Sequence, residues 1–260
     1  MIICHSHQFI FIKPRKVAGT TIELKLSSLL NAGDLATPIE PEEEHLRYRK
    51  PGVIIGKIKS NKAYNIFATL RDHSTLQKAY TILDRKIRGY TVVSACRNPW
   101  DRAVSQFFWS YRKKNILDYD FKLQKDEFNR FTHRYGPKTW LDNFYGRKRQ
   151  RSLNSSHLYS INNNIASDFM IRFENLEKDI LAFADTLNLS NQFGTKTFKT
   201  KSTFRPSASR NWQKFYDSDT KKLVAECCAD EIRYFNYNFD GTSAPKGQFF
   251  KQTGTEEKKN

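Results

Sequence analysis

The sequence predicts an α/β fold, a central and mainly parallel β-sheet flanked by helices. Three strand-to-helix passages carry that expectation. Phe9-Ile10-Phe11-Ile12 is an apolar, β-prone run that passes through a short basic loop into an amphipathic helix. Tyr90 to Cys96 reads as a buried strand that meets a strong helix start at Asn98-Pro99-Trp100-Asp101. Asp168 to Phe173 reads as a third strand, followed by a helix over Leu176 to Leu187. Strands alternating with helices favour parallel pairing with helices on both faces.

Each element has a local reason. The first helix, about residues 20–30, places Ile22, Leu26, Leu29 and Leu30 on one side. Residues 31–62 read as loop-rich, with Pro38, Pro41, Pro51 and the acidic run Glu42-Glu43-Glu44. Tyr64 to Leu70 reads as a strand and Ser74 to Leu83 as a helix. At the second passage Asn98 is a good N-cap, Pro99 suits the first helical position, and Asp101 faces the orphan amides. That helix extends to about Lys114. Phe121 to Arg151 is mixed, aromatic and basic, and Arg130 to Arg151 holds seven Lys or Arg against one acid, Asp142. Asn191 to Lys214 is a Ser/Thr-rich basic loop without an acid. Asp219 to Phe235 reads as one long final helix. No linker stands out, so one domain over 1–242 is expected, with a disordered polar tail over 243–260.

The 260 residues carry 44 Lys plus Arg against 27 Asp plus Glu, a net charge of +17. That excess suits a polyanionic partner: nucleic acid, an acidic membrane surface, an acidic glycan or a multiply phosphorylated nucleotide. The four cysteines, Cys4, Cys96, Cys227 and Cys228, form neither a zinc spacing nor a disulfide framework. No apolar run reaches a membrane span and the first residues do not form a signal peptide. A soluble cytoplasmic protein is expected, its N-terminal Cys4-His5-Ser6-His7 frayed and without metal.

The first loop has the makings of an anion site. Backbone N–H groups around Ala18, Gly19 and Thr20 can point at an anion. Gly19 allows close approach of the backbone. Thr20 and Thr21 can cap the helix and donate to phosphate oxygens, and Arg15 and Lys16 supply charge. The alternative is an ordinary strand–helix turn with solvated cations. The loop lacks the G-x-x-x-x-G-K-[ST] of nucleoside triphosphatases. Arg97 follows a buried strand, where ligands of open α/β sheets bind, and its planar guanidinium suits phosphate. Its alternative is a surface salt bridge with Asp101. Ser105 lies two turns into the following helix.

Taken together, a P-x-K-x-A-G-T-[ST]-like loop and a later strand-R-N-P-W-D-R-x-V-S resemble the sulfotransferases that use 3′-phosphoadenosine 5′-phosphosulfate (PAPS). GDLATPIEPEEEHLR, ATLRDHSTLQKAY, DFMIRFENLEKDI and FYDSDTKKLVAECCADEIRYFNYNF are similar, in order, to further segments of that family's soluble microbial and viral branch, covering about Phe9 to Phe239. The match departs from the pattern by one residue inserted before Lys16, so Arg15 or Lys13 could share the lysine's role. The resemblance implies a three-layer, P-loop-like α/β fold. It also implies sulfuryl transfer from PAPS to a hydroxyl acceptor, with a saccharide preferred and 3′-phosphoadenosine 5′-phosphate as product. No metal, specific nucleic acid or membrane span is expected. Arg15, Lys16, Val17, Ala18, Gly19, Thr20 and Thr21 would hold the 5′-phosphosulfate, with Lys16 catalytic. Arg97 and Ser105 would hold the 3′-phosphate, and Arg205 and Arg210 would touch the nucleotide from a basic loop.

His73 is the candidate general base, since an unperturbed imidazole of pKa ~6.5 suits the task. Its alternative is a plain helix-start histidine between Asp72 and Ser74. His45 is the reserve base, and Glu174 is read as a structural partner for a buried group. Tyr135, Trp140, Tyr145, Arg147, Lys148, Arg149 and Arg151 are candidates for acceptor contact, or else core aromatics beside a solubilising face. Two rivals remain: a basic nucleic-acid-binding protein, and a kinase-like enzyme. The kinase is disfavoured because its required acid is absent where the second strand ends in Ser94-Ala95-Cys96-Arg97.

Overall fold

The computed structural model describes residues 1–59, 69–83, 85–136, 152–193 and 205–241. These residues form two compact units, one from 1–96 and 157–193, the other from 97–156 and 205–241. The strands are β1 (Ile2–Cys4), β2 (Phe9–Phe11), β3 (Leu35–Ala36), β4 (Ile54–Ile55), β5 (Ile58–Lys59), β6 (Thr69–Leu70), β7 (Thr91–Cys96), β8 (Ser160–Ile161), β9 (Asn164–Ile165) and β10 (Phe169–Arg172). The helices are α1 (Gly19–Leu26), α2 (Pro41–Glu44), α3 (Leu76–Ile82), α4 (Pro99–Tyr111), α5 (Phe121–Tyr135), α6 (Leu176–Thr186), α7 (Ser218–Cys227) and α8 (Ala229–Phe235).

The first unit contains all the strands found among the described residues. Its main sheet runs β10-β7-β2-β1-β3-β4. β10, β7 and β2 pair in parallel, as do β3 and β4, while β1 is antiparallel to both of its neighbours. Phe9, Phe11, Val93, Ala95, Phe169 and Ile171 share one core with Ile22 and Leu26 of α1 and Ile180 and Phe183 of α6. The alternate residues Ile10 and Val92 are fully buried too. Central strands buried on both faces are what a parallel α/β sheet requires. The expected fold class therefore holds.

The second unit is helical and aromatic. Phe107 and Phe108 of α4 meet Phe128 and Phe131 of α5 and Phe215 through edge-on ring contacts. Arg102 is 1% exposed and is bound by Glu231, also 1% exposed, and by the Leu153 carbonyl at 2.7 Å. A charge this deep is tolerable only when it is paired.

Several expectations need correction. The N-terminus is not frayed: β1 lies between β2 and β3, and Met1 is fully buried. The cause is Asp34, whose carboxylate accepts from the amides of His5 at 2.6 Å, Ser6 at 2.9 Å and Asn31 at 2.8 Å. Among the described residues no group of His, Cys, Asp or Glu is arranged to hold a metal. Of the stretch Phe121 to Arg151, Phe121–Tyr135 forms α5, started by Asp120 capping the Leu123 amide at 2.8 Å, and 137–151 lie outside the described residues. The final helix is two, α7 and α8, broken at Cys228 without Gly or Pro, and α7 begins with an Asp217–Thr220 capping box. Tyr64 to Leu70 is described only at its end, as β6. The tail over 243–260 lies outside the described residues. No helix among them is long and apolar enough to cross a membrane.

Candidate active site

β2 and β7 are parallel neighbours, with Phe11 opposite Val93. The loop after β2 leads into α1, and the residues after β7 lead into α4. The first of these turns is sharp and unusual. Lys16 and Ala18 both adopt left-handed backbone, at φ 60° and 59°, a conformation that costs a non-glycine residue ~1–2 kcal/mol. Ala18 is the N-cap residue of α1, with no side-chain cap bond and no acid in the first turn. The expected capping by Thr20 and Thr21 does not occur, because the helix starts at Gly19 and both threonines already lie inside it. The first amides of a helix have no intrahelical acceptor, so this start presents a positive end to an anion.

Gly19 is required by its neighbour. A Cβ there would fall 2.6 Å from Lys13 Cγ. Lys13 is 4% exposed and runs past Gly19 to pair with Glu23 at 2.9 Å and Asp72 at 2.9 Å. It is thus engaged by two carboxylates. Burial alone would lower the Lys13 pKa, but Glu23 and Asp72 raise it above its usual value. Glu23 is itself fully buried and also faces the Met1 amino group at 3.2 Å and Arg47 at 3.6 Å. Arg15 and Lys16 are half-buried in the loop, whereas Val17 belongs to the apolar core, so only its backbone can face a ligand.

His73 joins this group. Its Nδ1 lies 2.8 Å from the Lys13 carbonyl oxygen, and its Nε2 lies 3.4 Å from Asp72 Oδ2. A carbonyl only accepts, so Nδ1 carries the hydrogen and the neutral ring has its lone pair on Nε2. Burial lowers the His73 pKa, Asp72 opposes that and Arg15 adds to it, leaving it at about 4. The imidazole is therefore neutral at pH 7, as a proton acceptor must be. His45, the reserve base, is exposed at the end of α2.

In the second unit, Arg97 is 6% exposed and donates from Nε to Asp101 Oδ2 at 2.7 Å. The salt bridge anticipated at the surface is therefore present but buried. Asp101 Oδ1 also takes Arg205 Nη1 at 2.6 Å, and Arg205 Nε donates to Ser209 Oγ at 3.1 Å. Ser105 is 8% exposed, one turn beyond Asp101 on the same helix face. Arg210 is exposed and does not join them in any described contact.

Some side chains of this ionic cluster escaped the sequence reading. Asp72 adjoins the candidate base, and Glu23 is the only acid in residues 1–33. Both were available signals. Glu174 is exposed, and Asp179 takes the role expected of it, accepting from Arg172 Nε at 2.8 Å. Of the candidate acceptor contacts, Tyr135 stacks obliquely on Phe131 within α5. Trp140, Tyr145, Arg147, Lys148, Arg149 and Arg151 lie outside the described residues.

No curated protein matches the chain. The family model described as "Sulfotransferase family" matches residues 1–238, nearly the whole chain and both units. With that match over most of its length, the chain belongs to the sulfotransferase family.

Proposed function

We propose that the protein transfers a sulfuryl group from PAPS to a hydroxyl of a saccharide acceptor in a reducing compartment such as the cytoplasm. The carrying observation is the uncapped, acid-free start of α1 beside Arg15 and Lys16. Those donors fit a phosphosulfate, which is anionic and needs no metal to organise it. The net charge of +17 favours an acidic glycan. None of the four cysteines is in a disulfide, in keeping with a reducing compartment.

The donor, when bound, supplies an activated sulfuryl group whose departure leaves negative charge on the 5′-phosphate. Lys16 and the amides of Gly19, Thr20 and Thr21 stabilise that charge as preorganised donors. His73 accepts the acceptor hydroxyl's proton at Nε2. Arg97 and Ser105 take the 3′-phosphate, with Asp101 orienting the Arg97 guanidinium. Arg205 and Arg210 complete the nucleotide's surroundings.

Calorimetric titration of the full chain with 3′,5′-adenosine bisphosphate, ATP and AMP, without metal, tests this reading. Selective binding of the bisphosphate is expected. Lys16→Ala and Arg97→Ala should each weaken it by ~10-fold or more, since a hydrogen bond to a charged group is worth ~1.5–3 kcal/mol. Equal or absent binding of all three nucleotides overturns the proposal.

A further inference from the structure

Lys13 grips the His73 segment at two points. Its carbonyl takes Nδ1–H at 2.8 Å, and its ammonium holds Asp72 Oδ1 at 2.9 Å. The other Asp72 oxygen is thereby left facing His73 Nε2 at 3.4 Å. We infer that Asp72 is a positioning residue that neutralises the His73 imidazolium formed during sulfuryl transfer, and that Lys13 fixes both partners.

The inference rests on the reading of His73 as base. In the step, the acceptor O–H bond breaks and its proton goes to Nε2. The oxygen's electron pair forms the new O–S bond as the old S–O bond breaks, and that pair leaves on the 5′-phosphate. Asp72 remains ionised throughout, and the proton passes from His73 to solvent after product release. This division of labour follows from charge. Around the ring, the Arg15 and Lys13 charges oppose its protonation, and Asp72 favours it, helped by the hydrogen bond to the Lys13 carbonyl. Burial raises the Asp72 carboxyl's pKa, but the Met1 amino group and Lys13 more than offset this, so Asp72 stays anionic. Behind it, Glu23 balances Lys13 and Arg47.

The test compares wild type, Asp72→Asn, Asp72→Glu and His73→Ala in the full chain. It reads bisphosphate binding, and release of 3′-phosphoadenosine 5′-phosphate from PAPS with a pool of acidic oligosaccharides across pH. In wild type the acidic limb should fall near pH 4. Asp72→Asn should move that limb lower and reduce kcat about tenfold or more, part of the ~10²–10⁴ that a positioned base supplies. The KM for PAPS should stay near wild type, and Asp72→Glu should recover much of the rate. Loss of turnover in His73→Ala with an unmoved limb and normal kcat in Asp72→Asn overturns the inference alone. Normal turnover in His73→Ala, with bisphosphate still bound, overturns the base reading instead. Should Asp72→Asn fail to fold, the ¹⁵N shifts of wild-type His73 at neutral pH decide. Hydrogen on Nδ1 is expected, and hydrogen on Nε2 overturns the inference.

Discussion

Two helices in this chain follow two parallel, neighbouring strands, and they begin in opposite ways. α4 is closed by its own residues. Asn98 accepts from the amides of Trp100 and Asp101 at 3.1 and 3.4 Å, Pro99 removes an amide, and Asp101 supplies first-turn charge. α1 has no side-chain cap and no first-turn acid, and its entry carries left-handed backbone at Lys16 and Ala18. A capped start uses its amides internally. A bare one keeps them for a ligand and accepts local strain, which is the pattern expected where binding outranks stability.

The contrast can be tested at its anchors first. α4 is fixed from inside by Arg102, so Glu231→Gln should leave a buried guanidinium poorly compensated. The expected loss is ~3–5 kcal/mol, read by denaturant unfolding. Gly19→Ala should act on both stability and binding. Its methyl meets the Lys13 stem, and a comparable overpacking costs ~1–3 kcal/mol. Bisphosphate affinity should fall as the loop shifts, and an unchanged titration would refute the need for close approach. The caps themselves come last. Asn98→Ala should cost ~1 kcal/mol in thermal or denaturant unfolding. Ala18→Gly should gain ~0.4–1 kcal/mol by relieving the left-handed residue without supplying any cap. If the two changes shift stability in the same direction, the difference between the helix starts is not the one described.

The parts of the molecule readable from sequence were those with their own local grammar. Phe9 to Ile12, the Asn98-Pro99 start and the runs at Tyr90 and Asp168 carry their periodicity or caps in a few consecutive residues. β3 and β4, at two residues each, are too short to show any pattern. α5 was missed because much of it faces water: Phe121 and Leu123 are 48% and 50% exposed, and its buried set is Phe128, Phe131 and Thr132. Within the candidate site, His73 and Gly19 stand in recognisable motifs. Glu23, Lys13 and Asp72 acquire meaning only when the chain brings positions 10 to 60 residues apart into one ionic cluster.

The burial of Lys13 also makes it a chemical reporter. Acylating reagents attack the unprotonated amine, and this one is both shielded from solvent and held charged by two carboxylates. Lys16, three residues on, is half-buried at the loop. A labelling time course read by mass spectrometry would therefore record two clocks in one peptide, Lys16 following ligand occupancy and Lys13 following the opening of the ionic cluster.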